Sequence, residues 1–247
     1  YNEDYLKDNA WGYNRVTDQT VRIASLYAQN EWKNAHWGIL IGGRIDKHNL
    51  IKGVIFSPRA NLRYNPTENI NLRASYSYGF RAPQAYEEDL HVTAVGGEGV
   101  QIQLADGLKE ERSNSFSGSV DWTTRFGHWQ ANVLVEGFYT GLNDVFILED
   151  IGHDANGYAI KERRNGSGAR VYGANLDAKL AHGKEAVLSL GFTAQRSRYI
   201  KPEEWTDGQF TTRMMRTPDY YGYFTFTSEP VKHFDFSLSG TYTGSMD

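Results

Sequence analysis

Asn71-Leu72-Arg73-Ala74-Ser75-Tyr76-Ser77-Tyr78-Gly79-Phe80 is the stretch on which the reading of this chain turns. Leu72, Ala74, Tyr76, Tyr78 and Phe80 fall on one parity; Asn71, Arg73, Ser75, Ser77 and Gly79 fall on the other. Successive side chains of a strand point to opposite faces, so the stretch presents one apolar and one polar surface. A soluble sheet with one solvated face alternates in the same way. Strand length, aromatic placement and loop asymmetry separate that case from a transmembrane β-barrel, and all three favour the barrel.

The same design recurs along the chain. Trp129, Ala131, Val133, Val135 and Tyr139 share a parity with Gly137, while Gln130, Asn132, Glu136 and Thr140 share the other. Steps of about 3.3 Å along a strand tilted by roughly 45° carry Trp129 to Tyr139 across about 23 Å of membrane normal. That is the height of an outer-membrane apolar band with an aromatic residue at each interface. Trp37, Ile39, Ile41 and Ile45 alternate with Arg44 and Asp46. Leu188, Leu190 and Phe192 alternate with Ser189, Thr193 and Gln195; Phe234, Phe236, Leu238 and Tyr242 alternate with Asp235, Ser237, Ser239 and Thr241. Soluble strands commonly run about five or six residues, and the alternation here continues for roughly twice that. The polar parity carries Arg, Asp, Glu, Gln and Asn, which are costly in hydrocarbon but suit a wet or plugged lumen.

The connections fall into two classes that alternate. Lys33-Asn34, Asn65-Pro66-Thr67-Glu68, Phe126-Gly127-His128, Ala181-His182-Gly183-Lys184 and Glu229-Pro230-Val231-Lys232 read as tight turns. Longer connections are expected near 47–54, 80–112, 149–160 and 197–219. Antiparallel hairpins then gather every short turn at one end and every long loop at the other, as outer-membrane barrels do with periplasmic turns and extracellular loops. The expected fold is all-β: an antiparallel up-and-down transmembrane β-barrel segment of about ten long strands. Its edge strands are expected near Arg22 and near Leu238. An open sheet has two unpaired edges, which hydrocarbon penalises, so these strands must close on others, dimerise or close on themselves.

Composition agrees. The 247 residues suit a single all-β domain, read here as one incomplete barrel domain over residues 1–247. The 16 Tyr and 25 Gly suit interfacial girdles and crowded strands. Mean hydropathy is −0.59, which a barrel tolerates because only alternate residues face lipid. No apolar run approaches the ~18 residues of a helical span, which excludes that class and not a barrel. A net charge of −4 with no basic stripe leaves no nucleic-acid footprint. With no Cys, disulfides and thiolate metal sites drop out.

Three motifs then carry a resemblance. Tyr78-Gly79-Phe80-Arg81-Ala82-Pro83-Gln84-Ala85-Tyr86-Glu87-Glu88-Asp89-Leu90-His91 resembles the "GFRAP" segment of TonB-dependent outer-membrane receptors, followed by an acidic run. Gly107-Leu108-Lys109-Glu110-Glu111-Arg112-Ser113 is similar to that family's "LKPERS" segment, with Glu110 in place of the usual Pro. Ile55-Phe56-Ser57-Pro58-Arg59-Ala60-Asn61-Leu62-Arg63-Tyr64 is similar to the "SPR…LRY" strand that precedes them. The motifs stand in the family's order over residues 36–125. The resemblance implies a receptor that binds a scarce nutrient at the surface of a Gram-negative cell and imports it: a ferric siderophore, haem, cobalamin or a glycan. It implies a barrel of about 22 strands occluded by an N-terminal plug, on which the TonB energy-transducing complex pulls with the proton-motive force. Neither plug nor transducer-contact segment is recognised, so an internal-to-C-terminal portion of such a receptor is expected.

Candidate ligand or plug contacts are Arg73, Arg81, Tyr86, Glu87, Glu88, His91, Arg198, Trp205 and Arg213. Arg81 ends the polar-parity row that includes Arg73, and either meets a plug and mouth or holds its loop by ion pairs with the acidic run. Pro83 to Leu90 has the makings of a short helix in a connection of about thirty residues, long enough to mark a functional loop. Glu87, Glu88 and His91 also invite a cation site, as do His153 and Asp154, but neither spacing matches a Ca²⁺ loop or a zinc helix. Arg163, Arg164, Arg196, Arg198, Lys201, Arg213 and Arg216 collect at the expected outer side. They either focus anionic ferric chelates or pair with outer-membrane lipid, namely lipopolysaccharide phosphates at the rim. Tyr199, Trp205, Phe210, Met214 and Met215 nearby supply either an apolar ligand platform or interface anchors. No metal or cofactor is called for, and no catalytic motif is found. Two other barrel functions compete: a passive porin, and an omptin-like protease drawing on Asp150, His153 and Asp154.

Overall fold

A computed structural model describes residues 1–10, 15–83, 100–153, 155, 157, 159–183, 185–206, 208–231 and 234–246. Among the described residues every regular element is a strand. In chain order these are β1 (Asn2–Ala10), β2 (Arg15–Lys33), β3 (Trp37–His48), β4 (Ile55–Thr67), β5 (Ile70–Arg81), β6 (Val100–Leu104), β7 (Glu111–Phe126) and β8 (Trp129–Asn143). There follow β9 (Phe146–His153), β10 (Ala159–Asn165), β11 (Ala169–His182), β12 (Ala186–Thr206), β13 (Gln209–Arg213), β14 (Tyr220–Val231) and β15 (Phe234–Thr243).

One sheet of 12 strands runs β1-β2-β3-β4-β5-β7-β8-β11-β12-β14-β15, with β13 paired to β12. Every pair in it is antiparallel, and all five expected short turns join neighbouring strands. The up-and-down order of the alternating pattern is therefore observed. The ends of the path, β1 and β15, do not pair with each other among the described residues, so the sheet is not closed.

Register puts the two parities where alternation places them. Trp129, Val133, Val135 and Tyr139 on β8 stand opposite Phe126, Trp122, Val120 and Phe116 on β7. On the other side they face His182, Ala178, Leu176 and Tyr172 of β11. The apolar surface is open: Val135 is 47% and Leu176 44% exposed, and Phe236, Leu238 and Tyr242 on β15 are exposed as well. A wall of exposed large hydrophobics on this scale is unusual for a soluble monomer and fits a lipid-facing surface. Gly43 is needed there because the Phe56 ring lies over it; a Cβ would sit 2.6 Å from Phe56 Cε2.

The opposite surface is knitted by polar side chains. Ser75 and Ser117 hydroxyls meet at 2.8 Å, and Ser115 meets Thr140 at 3.0 Å. Asn132 donates to Asp121 at 2.6 Å, Asn175 donates to Glu136 at 3.1 Å, and Thr193 donates to Asn175 at 2.9 Å. Cross-strand pairs of this kind stabilise a sheet by a few tenths to about 1 kcal/mol each.

Three expectations need correction. The strand containing Arg22 is not the terminal one, because β1 pairs with it from Asn2↔Ile23 to Ala10↔Arg15. That pairing meets the β2–β3 ladder only at Ile23, which stands opposite both Asn2 and His48, and otherwise lies beyond it. The β1–β2 hairpin thus extends the long-loop end, and from Ala24 to Lys33 β2 pairs only with β3 among the described residues. Its mixed charge hid β1 from a count based on apolar alternation. The 149–160 segment is not a plain loop: β9 and β10 are antiparallel, and β6 from the 80–112 connection adds parallel to β10, making a second, three-stranded sheet. The 197–219 segment is likewise β12 continuing to Thr206 and returning as β13. Both were missed because strands outside a membrane need neither great length nor a sustained apolar parity: β6 is five residues and β9 opens on consecutive Phe146-Ile147-Leu148. The short helix expected over Pro83 to Leu90 lies, from residue 84 onward, outside the described residues.

Candidate functional site

Polar-face positions on β2, β4, β5, β7 and β8 converge on a concavity of about 370 Å³. Its lining includes Glu31, Arg63, Arg73, Ser75, Ser117 and Glu136. Arg63 and Arg73 stand directly opposite each other in the β4–β5 register. Two like charges across a strand pair are unfavourable; Glu31 and Glu136 line the same recess, and Glu136 accepts from Asn175. Arg73 donates from Nε to Asn71 at 2.9 Å. Arg63 Nε is buried without a hydrogen-bond partner. A recess with two guanidinium groups, two carboxylates and hydroxyls between them suits a polar, anion-bearing group.

Further along the same face, at the long-loop end, Arg81 pairs with Glu111 at 3.3 Å and lies 5.4 Å from the centre of the Phe146 ring. Glu111 also accepts from the Phe146 backbone N–H. Arg81 therefore ties β5 to β7 and to the start of the three-stranded sheet. Asn165 closes the same junction: its side chain accepts from Lys109 N–H at 2.8 Å and donates to the carbonyls of Lys109 at 3.0 Å and Asp144 at 2.7 Å. At Glu110, where the resembling motif has Pro, the carboxylate accepts from Arg112 at 2.5 and 3.0 Å.

A third polar group caps β3. Asp46 and His48 are each 1% exposed. Asp46 accepts from Ser25 at 2.6 Å and from Arg44 at 2.8 Å. His48 Nδ1 accepts from Leu50 N–H at 3.1 Å, which places the ring proton on Nε2, a buried atom without a partner. His48 follows Lys47, past the apolar row that ends at Ile45. Burial there pushes its pKa down, with the Asp46 charge opposing.

Arg198 and Arg213 are elsewhere. They pair across β12 and β13, and Arg198 stands opposite Arg170 on β11. Arg196 stands opposite Tyr172. By register these positions continue the apolar face, not the polar one that carries Arg73 and Arg81. Arg196, Arg198 at 3.5 Å and Arg213 at 3.4 Å all pair with Asp219. Trp205 lies on the β12 extension. Arg163 is 2% exposed on β10, and Arg164 pairs with Glu149. Tyr86, Glu87, Glu88 and His91 lie outside the described residues, as does Asp154. His153 ends β9, and Asp150 accepts from Gly152 N–H at 2.9 Å. Among the described residues no three His, Asp or Glu gather as a metal site would require.

Arg44, Arg59 and Arg63 were not among the expected contacts, yet they share the polar face with Arg73. Arg59 and Arg63 sit in the strand used for the resemblance, and the parity of Arg63 is legible once its register against Arg73 is known.

A family model described as TonB dependent receptor-like, beta-barrel, matches residues 1–247. Solved structures share the fold at low identity. The siderophore receptor PirA of Pseudomonas aeruginosa superposes with a TM-score of 0.71 at 16% identity, over 94% of this chain and 42% of that one. An enterobactin-bound mutant of the ferric enterobactin receptor PfeA of Pseudomonas aeruginosa gives 0.68 at 20%, over 94% and 34%. The FrpB iron transporter of Neisseria meningitidis gives 0.64 at 16%, over 92% and 33%. The chain thus spans well under half the length of these structures. No curated protein sequence matches it.

Proposed function

The chain belongs to the TonB-dependent receptor-like β-barrel family, and from that membership we propose that it forms part of the barrel wall of a receptor that captures a ferric chelate at the cell surface and imports it. The observation that carries the proposal is the family match over the whole chain. Its polar face is then the lumen, its apolar face meets lipid, and its setting is the outer membrane of a Gram-negative cell. The solved neighbours include siderophore receptors and an iron transporter, which supports an iron chelate ahead of haem, cobalamin or a glycan. Energy for import would come from the TonB complex acting on a plug, in segments not contained in residues 1–247.

The part this chain plays is electrostatic and structural. Arg59, Arg63, Arg73 and Arg81 line one side of the lumen, where low-dielectric walls strengthen their attraction for an anionic chelate or for plug carboxylates. Family membership speaks against the porin and protease alternatives.

The test uses cells making the full receptor that contains this chain, supplied with ⁵⁵Fe-labelled ferric siderophores. Uptake abolished by a protonophore and by loss of the transducer is expected. Uptake indifferent to both would replace the proposal with a passive pore; growth supported by haem or cobalamin and by no ferric chelate would reassign the ligand.

A further inference from the structure

We propose that the connection between β3 and β4, residues 49–54, is an acid-released latch. With His48 neutral it fastens β2 to the end of β5 at the outer rim of the wall, and a proton on His48 releases it. The latch is read from side-chain contacts and goes beyond the transport reading; only its exposure to the external medium rests on the outer-membrane setting.

The connection is tied on three sides. Toward β2, Asn49 N–H donates to the Arg22 carbonyl at 3.1 Å, and Arg22 N–H donates to Asn49 Oδ1 at 2.8 Å. Asn49 Nδ2 also donates to the Thr20 carbonyl at 2.7 Å. Toward β5, Ile51 is 6% exposed and packs with Ile55 and Ala82, against which Tyr78 and Phe80 lie. Toward β3, His48 receives two donors of the turn: Leu50 N–H at 3.1 Å on Nδ1 and Ile51 N–H at 3.3 Å on its carbonyl. Lys47 Nζ adds a bond to the Gly53 carbonyl at 3.0 Å. His48 thus stands at the root of the turn that delivers Ile51 to β5. The apolar pair Leu50-Ile51, between Asn49 and Lys52, is the trace of this packing in the sequence.

A proton has no place in the closed form. The ring is 1% exposed, Nδ1 already accepts, and Nε2 is buried without a partner. An imidazolium would lose the Leu50 bond and carry its charge into a closed space. On its own strand Asp46 favours the imidazolium, but that carboxylate is held by Arg44 at 2.8 Å and by Ser25 at 2.6 Å. On the same face β2 presents Val21, Ile23 and Ser25, and β4 presents Ile55 and Ser57, none of them charged. From β1 comes Asp4, which is exposed and accepts from Asn2. Arg22 turns to the other face and pairs with Glu3. Lys52 is exposed, and Arg81 at the end of β5 pairs with Glu111. The Tyr78 phenol beside the apolar cluster stays neutral at these pH values. Burial therefore holds the closed ring below its ordinary pKa, and the opened ring returns to about 6.5. Closure is full above about pH 6.5 and weakens as pH falls toward the closed-form value.

The full receptor, purified in detergent with no chelate added, is compared by amide hydrogen exchange at about pH 7.5 and about pH 5.0, each rate divided by its intrinsic value at that pH. In the wild type, exchange of the Asn49, Leu50 and Ile51 amides should rise by up to about thirtyfold, the limit set by about 1.5 pH units below 6.5. Segments 20–23 and 78–82 should loosen with them, while the β7–β8 and β8–β11 ladders keep their protection. In His48→Asn the side-chain oxygen still accepts from Leu50 N–H and does not titrate, so its acid response should stay within about twofold. Exchange of the carbon-bound imidazole proton reports the titration of each ring and needs no substitution. For His48 its midpoint should lie below about 6.5. Equal protection at both pH values would overturn the latch, as would an acid response that His48→Asn retains in full. So would a His48 midpoint at or above about 6.5, or loosening spread evenly over the whole sheet. None of these outcomes bears on transport, since no chelate is present. Failure of the receptor to fractionate with outer membranes would strike the setting and leave the latch intact.

Discussion

At residue scale, His48 shows how a single ring takes on a pH dependence. Its Nδ1 is occupied by Leu50 N–H and its surroundings are closed, so a second proton would cost both that bond and the hydration of a cation. The folded pKa is therefore lowered by burial, while the unfolded chain titrates near the ordinary value of about 6.5. As pH falls through that value the unfolded state binds a proton that the folded state refuses. Stability attributable to His48 is thus complete above about pH 6.5 and declines as pH falls toward the lower folded value. Unfolding in urea at pH 7.5 and 5.5 should show a loss at low pH that His48→Asn diminishes, since an Asn oxygen also accepts from Leu50 N–H. Equal pH slopes for the two proteins would refute it. Arg63 makes a different point: it stands opposite Arg73 and its Nε is buried without a hydrogen-bond partner, so a like-charge pair and an unsatisfied donor share one recess.

At the scale of elements, strands β6, β9 and β10 join two connections that are distant in sequence. Asn165 is the clasp, with three hydrogen bonds to Lys109 and Asp144. Removing them by Asn165→Ala should destabilise this local sheet by about 1–3 kcal/mol, because the backbone groups it serves lose their partners. Hydrogen exchange should rise over 100–104 and 146–165 while the 12-stranded sheet keeps its protection. Protection lost throughout, or unchanged everywhere, would show that the clasp does not act locally.

For the whole molecule, the decisive fact is an open path with β15 at one end and, within the apolar band, β2 at the other. Unpaired N–H and C=O groups cannot stand in hydrocarbon, where each costs several kcal/mol. Residues 1–247 refolded alone into detergent micelles should therefore associate through these edges. Analytical ultracentrifugation showing a stable monomer, with protected amides on both edges, would mean that the strands close on themselves.

What the amino-acid sequence determined by itself was alternation: which residues of β5, β8 and β12 face lipid, where short turns fall, and that the motifs from Ser57 to Arg112 follow a receptor order. These are local, since side-chain direction in a strand depends on parity alone and turn residues act within a few positions. Strands β1, β9, β10 and β13 were not legible, because outside a membrane a strand is held by pairing and needs no alternating apolar row. Nor was the gathering of Arg196, Arg198 and Arg213: along β12 the parity that Arg196 and Arg198 share with Leu190 and Phe192 can be read, but only the register of β13 against β12, with Asp219 brought in from the far end of a loop, placed the three guanidinium groups together on one side of the wall.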